Sequence, residues 1–126
     1  MRILAYAWTL PNTLLGLLGA LLARATGGSL TWREGVFEAW GGGLRWLNRL
    51  RPEIGIVAIT FGHVILASNR IALEQSRTHE LVHVRQYELW GPFFIPAYLA
   101  ASLMAWLRGG HSYYDNRFER EAETHA

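Results

Sequence analysis

Thr78-His79-Glu80-Leu81-Val82-His83 decides the reading of this chain, because it places two histidines four residues apart with a glutamate directly after the first. Residues four apart on a helix are offset by ~40° around the axis and ~6 Å along it, so both imidazoles leave the same face and can hold one tetrahedral ion. Glu80 sits next to that face, close enough to take a proton from a metal-bound water without displacing the metal. This is the arrangement that a metal-assisted hydrolase requires. The plainer alternative is a surface helix on which the spacing is accidental.

The flanking residues are those of a helix. Ser68 or Asn69 can cap a start near Ile71, and Gly91-Pro92 stops the helix after Trp90. Leu81, Val82 and Val84 turn other sides of it toward a core. Phe93 to Leu107 predicts a second, apolar helix with Pro96 in its first turn and Gly109-Gly110 beyond its end. Asp115 or Asn116 can cap a last helix through Phe118-Glu119-Arg120-Glu121-Ala122-Glu123.

Upstream the pattern changes. Gly35 to Trp40 reads as a short strand before the turn Gly41-Gly42-Gly43. Leu44 to Leu50 fits either strand or helix. Ile54 to Ala67 is rich in β-branched residues and breaks at Gly62-His63, which predicts a hairpin. About three antiparallel strands are expected. His63, at the break, is either structural or lines a cleft, and its strand has an edge to which an extended peptide can add.

Ile3 to Ala23 carries no charge over 21 residues. As a helix it would rise about 31 Å, near the thickness of a bilayer core. Pro11-Asn12-Thr13 interrupts it, so the clean helix is expected from there to Arg24. Gly16/Ala20 and Gly19/Ala23 allow close helix packing. A membrane or membrane-surface helix, a buried helix of a soluble cytoplasmic protein, and a signal peptide ending near Ala23-Arg24-Ala25 all fit this stretch. If Glu119 shares a site with His79 and His83, the Phe93–Leu107 helix cannot cross a membrane once, because the two halves of the site would lie on opposite sides. Gly91 to Leu107 is too short to cross twice.

Composition narrows the chemistry. The chain has 126 residues, the size of one domain, and 17% of them are charged against ~25% in typical soluble domains. All twelve basic residues are arginine, scattered rather than clustered, for a net charge of +2. There is no basic stripe interleaved with aromatics, so no nucleic-acid partner is expected. Without cysteine there is no disulfide frame, no thiolate metal site and no cysteine nucleophile. Any metal must be held by histidine and carboxylate.

Two histidines do not complete a metal site. A continuation H-x-x-G-x-x-H is closed, since Gln86 and Leu89 occupy those places. A glutamate from the last helix is the remaining route. Glu119 and Glu123, four apart, can respectively bind zinc and hydrogen-bond a ligand histidine. Alternatively Glu119 forms a capping box with Asn116, or Glu121 is the ligand. His111, Tyr113 and Tyr114 just precede that helix and are candidates to stabilise an oxyanion, or are packing and loop surface.

With these motifs the sequence resembles the gluzincin metallopeptidases, above all very small ones (minigluzincins) and the membrane CAAX-protease-type and heat-shock-type peptidases. Those carry H-E-x-x-H on one helix and E-x-x-A-D on a later one. His79 to His83 matches the first motif fully, and Glu119 to Glu123 matches the second except that Glu123 replaces Asp. His83-Val84-Arg85-Gln86 is similar to an H-x-x-Q extension in small bacterial domains of this type. The resemblance covers residues 69–123. It implies Zn²⁺ at His79, His83 and Glu119, with Glu80 as general base and Glu123 behind a ligand histidine.

The expectation is therefore one α+β, zincin-like domain over 1–126: an apolar N-terminal helix within 1–28, membrane-associated or buried, and a catalytic core over 29–126. Its expected function is zinc-dependent hydrolysis of a peptide or protein substrate. The alternative is a zinc-binding structural or interaction domain with little activity. The sequence leaves the oligomeric state open.

Overall fold

Val64-Ile65-Leu66-Ala67 is apolar at every position, the composition of a strand covered on both faces. In the computed structural model, which describes residues 2–52 and 54–125, this segment is a fully buried central strand. Successive side chains of a strand point to opposite faces. Val64 and Leu66 accordingly pack with Ala20, Ala23 and Ala39 on one side, while Ile65 and Ala67 pack with Val36, Leu73 and Val84 on the other. The result is a sheet between two helices.

The sheet has four strands: β1 (Ser29–Arg33), β2 (Val36–Trp40), β3 (Ala58–Phe61) and β4 (Val64–Ala67), in the order β1-β2-β4-β3. Each consecutive pair is an antiparallel hairpin with a two-residue turn. Glu34 (φ 51°) and Gly35 (φ 87°) make the first turn, both left-handed, as a type I′ turn requires. Gly62 (φ 58°) opens the second turn; a Cβ there would lie 2.4 Å from Thr13 Oγ1. The two hairpins join through β2 and β4, which run parallel. The fold is thus α+β with a small mixed sheet, not the wholly antiparallel one expected. The cause lies in the connection: Gly42–Arg49 forms a 3-10 helix, and the loop after it leads into the second hairpin with β4 parallel to β2.

α1 spans Arg2–Ala25 with Pro11 inside it, so the helix starts well before the expected Pro11–Thr13 break. A mid-helix proline removes one backbone hydrogen bond. Tertiary bonds hold the helix just beyond it: Asn12 Nδ2 donates to Gly91 O at 2.9 Å, and Thr13 Oγ1 accepts from His63 N at 3.1 Å. The inward residues are Thr9, Asn12, Thr13, Gly16, Ala20 and Ala23, whereas Leu10, Leu14, Leu15, Leu18, Leu21 and Leu22 face out.

α2 spans Arg70–Trp90, capped by Asn69 Oδ1 accepting from Ala72 N at 2.8 Å. A partly buried ion pair ties it to the sheet, with Arg77 Nε and Nη2 donating to Glu38 at 2.8 and 3.1 Å. A 3-10 turn over Gly91–Phe93 leads to α3 (Phe94–Leu107). The chain then reverses through Gly109 (φ 84°) into α4 (Arg117–His125). Tyr87, Phe94, Ala101 and Phe118 form the core that joins α2, α3 and α4.

Two stretches, Ile3–Ala25 and Arg70–Leu107, are long and apolar enough to cross a membrane. The second is broken at Gly91–Phe93 and contains both histidines of the motif.

Candidate metal centre

The helix cap at Asn69 and the ion pair at Arg77 fix α2 over the sheet, so His79, Glu80 and His83 face the cleft between β3 and α4. Asn116 positions the opposing element. Its Oδ1 accepts from Phe118 N at 2.8 Å, while its Nδ2 donates to Tyr98 O at 3.0 Å and Ser102 Oγ at 2.8 Å. The cap of α4 is thereby tied to α3. Glu119, in the first turn of α4, does not fold back on the cap; it points at the histidines.

His79 Nε2 and His83 Nε2 each lie 3.0 Å from Glu119 Oε1. One donor atom from each residue lies within 4.8 Å of the others, and together they can hold a metal ion. The set fits a small borderline cation: two imidazole nitrogens and one carboxylate oxygen, with room for a fourth ligand on the cleft side. The back of the His83 ring is also engaged, and a carboxylate stands farther behind His79. His83 Nδ1 is 2.7 Å from Gln86 Oε1, so it carries the proton and leaves Nε2 for a metal. His79 Nδ1 is 3.5 Å from Glu123 Oε2. Gln86 Nε2 in turn donates to Phe118 O and to Glu121 Oε1, which directs Glu121 away from the histidines.

The charges are strongly coupled. Burial pushes the Glu119 carboxyl up, but hydrogen bonds from His79 and His83 outweigh it and hold its pKa at about 2. The hydrogen bond to Glu119 raises the His79 pKa. Burial disfavours a charged His83, yet Glu119 wins and raises that pKa too. Glu80 differs. It is buried, burial raises its pKa, and Thr60 Oγ1 donates to its Oε1 at 2.6 Å. Tyr98 OH donates to Glu119 Oε2 at 2.5 Å.

The remaining expected residues lie around this cluster in different ways. Tyr113 lines the cavities on both sides of it. Burial, followed by the negative charge of Glu119, raises its phenol pKa, so it remains a protonated donor. Tyr114 is exposed, its hydroxyl 3.5 Å from Ile54 O at the cleft rim. His111 does not point into the cleft. Its Nδ1 accepts from the Tyr113 and Tyr114 backbone N–H groups at 3.0 and 3.2 Å, shaping the turn that presents Tyr113. His63 lies outside the cleft, fully buried between α1 and α2. Its Nδ1 is 2.9 Å from Thr9 Oγ1 and its Nε2 is 2.7 Å from Glu88 Oε2.

Thr60 and Tyr98 were not among the residues singled out from sequence. Neither belongs to a spacing motif, and both arrive through tertiary packing. Gln86 was legible only as part of H-x-x-Q. No protein-family model, curated protein or solved structure matches the chain.

Proposed function

We propose that the chain is a zinc-dependent peptidase working at a membrane surface. The observation that carries this reading is the convergence of His79 Nε2, His83 Nε2 and Glu119 Oε1 at the meeting point of two cavities, with Glu80 beside them and not needed as a ligand. A purely structural metal site is normally closed by protein ligands, whereas this one opens on a cleft.

His79, His83 and Glu119 would hold the metal. When bound, zinc acidifies a coordinated water and polarises the substrate carbonyl. Glu80 accepts the proton of the attacking water and passes it to the nitrogen of the leaving amine as the C–N bond breaks. Thr60 holds one oxygen of that carboxylate, leaving the other for the water. Tyr113 donates its hydroxyl proton toward the carbonyl oxygen as negative charge builds there. Gln86 keeps the His83 imidazole in the tautomer that presents Nε2.

Cleavage within a broad peptide panel, lost on chelation and restored by zinc, is the expected result. No cleavage across that panel by stoichiometrically loaded protein would favour a metal-binding module instead. Thr60→Val should lower kcat roughly tenfold with zinc content unchanged, because one buried hydrogen bond to a charged group is lost; Thr60→Ser should retain most of the rate. Equal rates in Thr60→Val and the unaltered protein would remove Thr60 from the mechanism.

The membrane part rests on an inverted helix pattern. α1 turns small and polar residues inward and leucines outward. From Leu99 onward α3 does the same, with Ala101 and Ala105 buried while Leu99, Leu103, Trp106 and Leu107 are exposed, although Phe94 at its start is buried in the core. Small residues at the packing interface and large apolar ones outside are what lipid-facing helices show. Lipid contact is along these outer faces, and Glu119 remains beside His79 and His83. The intact chain should bind liposomes, and replacing Leu14, Leu18 and Leu21 by Gln should reduce that binding. A detergent-free, monodisperse protein that ignores liposomes would contradict the placement.

A further inference from the structure

Phe93 to Leu107 carries no charge, and the residue after it is Arg108. The chain turns back through Gly109 (φ 84°), and α4 then opens on Arg117, with Arg120 one turn further on. These three arginines line a single cavity of about 410 Å³ against the end of α3, within the ~300–1,000 Å³ of ligand pockets. All three are exposed. Arg70 and Arg77 have carboxylate partners, but among the described residues none lies within ion-pair distance of Arg108, Arg117 or Arg120. The one acidic residue in the cavity wall, Asp115, is turned to the backbone, its Oδ2 accepting from His111 N at 2.6 Å. The cavity therefore keeps an excess of positive charge.

Helix stability does not account for that charge. The N-terminal end of a helix carries a partial positive charge and favours anions, yet two arginines stand in the first turns of α4. Arg117 also lies over the Phe118 ring, 5.3 Å from its centroid. A bound anion would offset the repulsion at both positions.

The surface next to the cavity is apolar. Leu103, Met104, Trp106 and Leu107 of α3 are exposed, and Met104 belongs to the cavity wall as well. Apolar side chains, a tryptophan at their end and cations just beyond are the order in which a protein meets acyl chains, interface and phosphates. α1 repeats it, with leucines facing out and Arg24 in its last turn. Arg120 further borders the cleft that holds His79 and Glu80, so an anion in the cavity sits at the rim of the candidate metal centre.

We infer that the cavity between the end of α3 and the start of α4 binds the phosphate of an anionic phospholipid, whose acyl chains lie along the outer face of α3. This inference rests on the membrane-surface placement proposed above. Guanidinium groups match phosphate oxygens in charge and geometry. A zwitterionic headgroup brings its own cation into the basic cavity and loses the advantage. Lipid bound in this way holds the cleft at the level of the headgroups.

The test measures partition of the full-length protein by vesicle flotation at low ionic strength, where surface charges are least screened. Vesicles are phosphatidylcholine alone or phosphatidylcholine mixed with phosphatidylglycerol. Phosphatidylglycerol should tighten binding by about tenfold or more, since each arginine near an anionic surface contributes roughly fivefold. Arg108→Gln/Arg117→Gln/Arg120→Gln should cut that preference to roughly threefold or less, with binding to phosphatidylcholine retained. Circular dichroism checks its fold, and Arg108→Gln alone, outside α4, should already lower the preference by roughly twofold or more. Arg33→Gln/Arg70→Gln/Arg85→Gln removes the same charge from other exposed positions and should keep the preference. An equal loss in that control, or no preference in the unaltered protein, would overturn the site. Inorganic phosphate at the concentration of the vesicle lipid should leave the preference in place; erasing it would assign the cavity to a soluble anion and overturn the lipid. Equal binding to both vesicles would overturn the site and leave the membrane placement standing, whereas binding to neither would overturn both.

Discussion

Glu80→Gln should leave zinc bound and slow peptide hydrolysis by on the order of a hundredfold or more, the usual contribution of a positioned general base. The substitution keeps the shape and the hydrogen bond from Thr60, so α2 and the histidines should not move. It removes only the ability to accept a proton. Burial already raises the Glu80 pKa, which makes the carboxylate a better base than an exposed glutamate. Both properties are lost in the amide. The decisive readout is the pairing of unchanged zinc content with collapsed turnover. Equal turnover in the variant and the unaltered protein would rule out Glu80 as the proton acceptor.

Glu119→Gln should act on the metal itself, weakening zinc by ~100-fold or more, because changing groups behind the ligands alone typically costs ~10–100-fold and here a charged ligand is neutralised. A competition titration with a chromogenic chelator measures this directly. The same experiment carries a pH signature. Glu119 raises the pKa of both imidazoles, so zinc must displace protons from them, and affinity should fall as the pH is lowered. Zinc affinity unaltered by Glu119→Gln would move the third ligand elsewhere.

How much of this was legible in the sequence follows from which interactions are local. The helix carrying the motif begins and ends on residues whose caps can be read directly, Asn69 and Gly91, and the last helix on Asn116. The hairpin at Gly62-His63 was marked by its turn. β1 went unread although Thr31 and Trp32 favour strands, since only Thr26-Gly27-Gly28 separate it from the end of α1. The parallel pairing of β2 with β4 depends on contacts between residues 27 apart, which no local pattern encodes. Pro11 misled for a related reason: Asn12 and Thr13 find tertiary partners that hold the helix together through the proline.

The site divides along the same line. His79 and His83 lie four residues apart on one face of α2 with Glu80 beside that face, and Glu119 with Glu123 repeats the four-residue spacing. Thr60 comes from a neighbouring strand and Tyr98 from the intervening helix, so only packing brings them to the cluster. His111 looked like a candidate donor because of its residue type. Its ring nitrogen is instead used by two backbone amides of its own turn, a local bond that its sequence neighbours do not reveal.

The central claim is that one metal sits between α2 and α4, and zinc content is its most direct test. The purified full-length chain should bind one zinc per molecule by elemental analysis, and the His79→Ala/His83→Ala double variant should bind none while keeping its helical circular dichroism. A zinc-free unaltered protein that takes up no zinc on titration, or stoichiometric zinc in a folded double variant, would contradict the account.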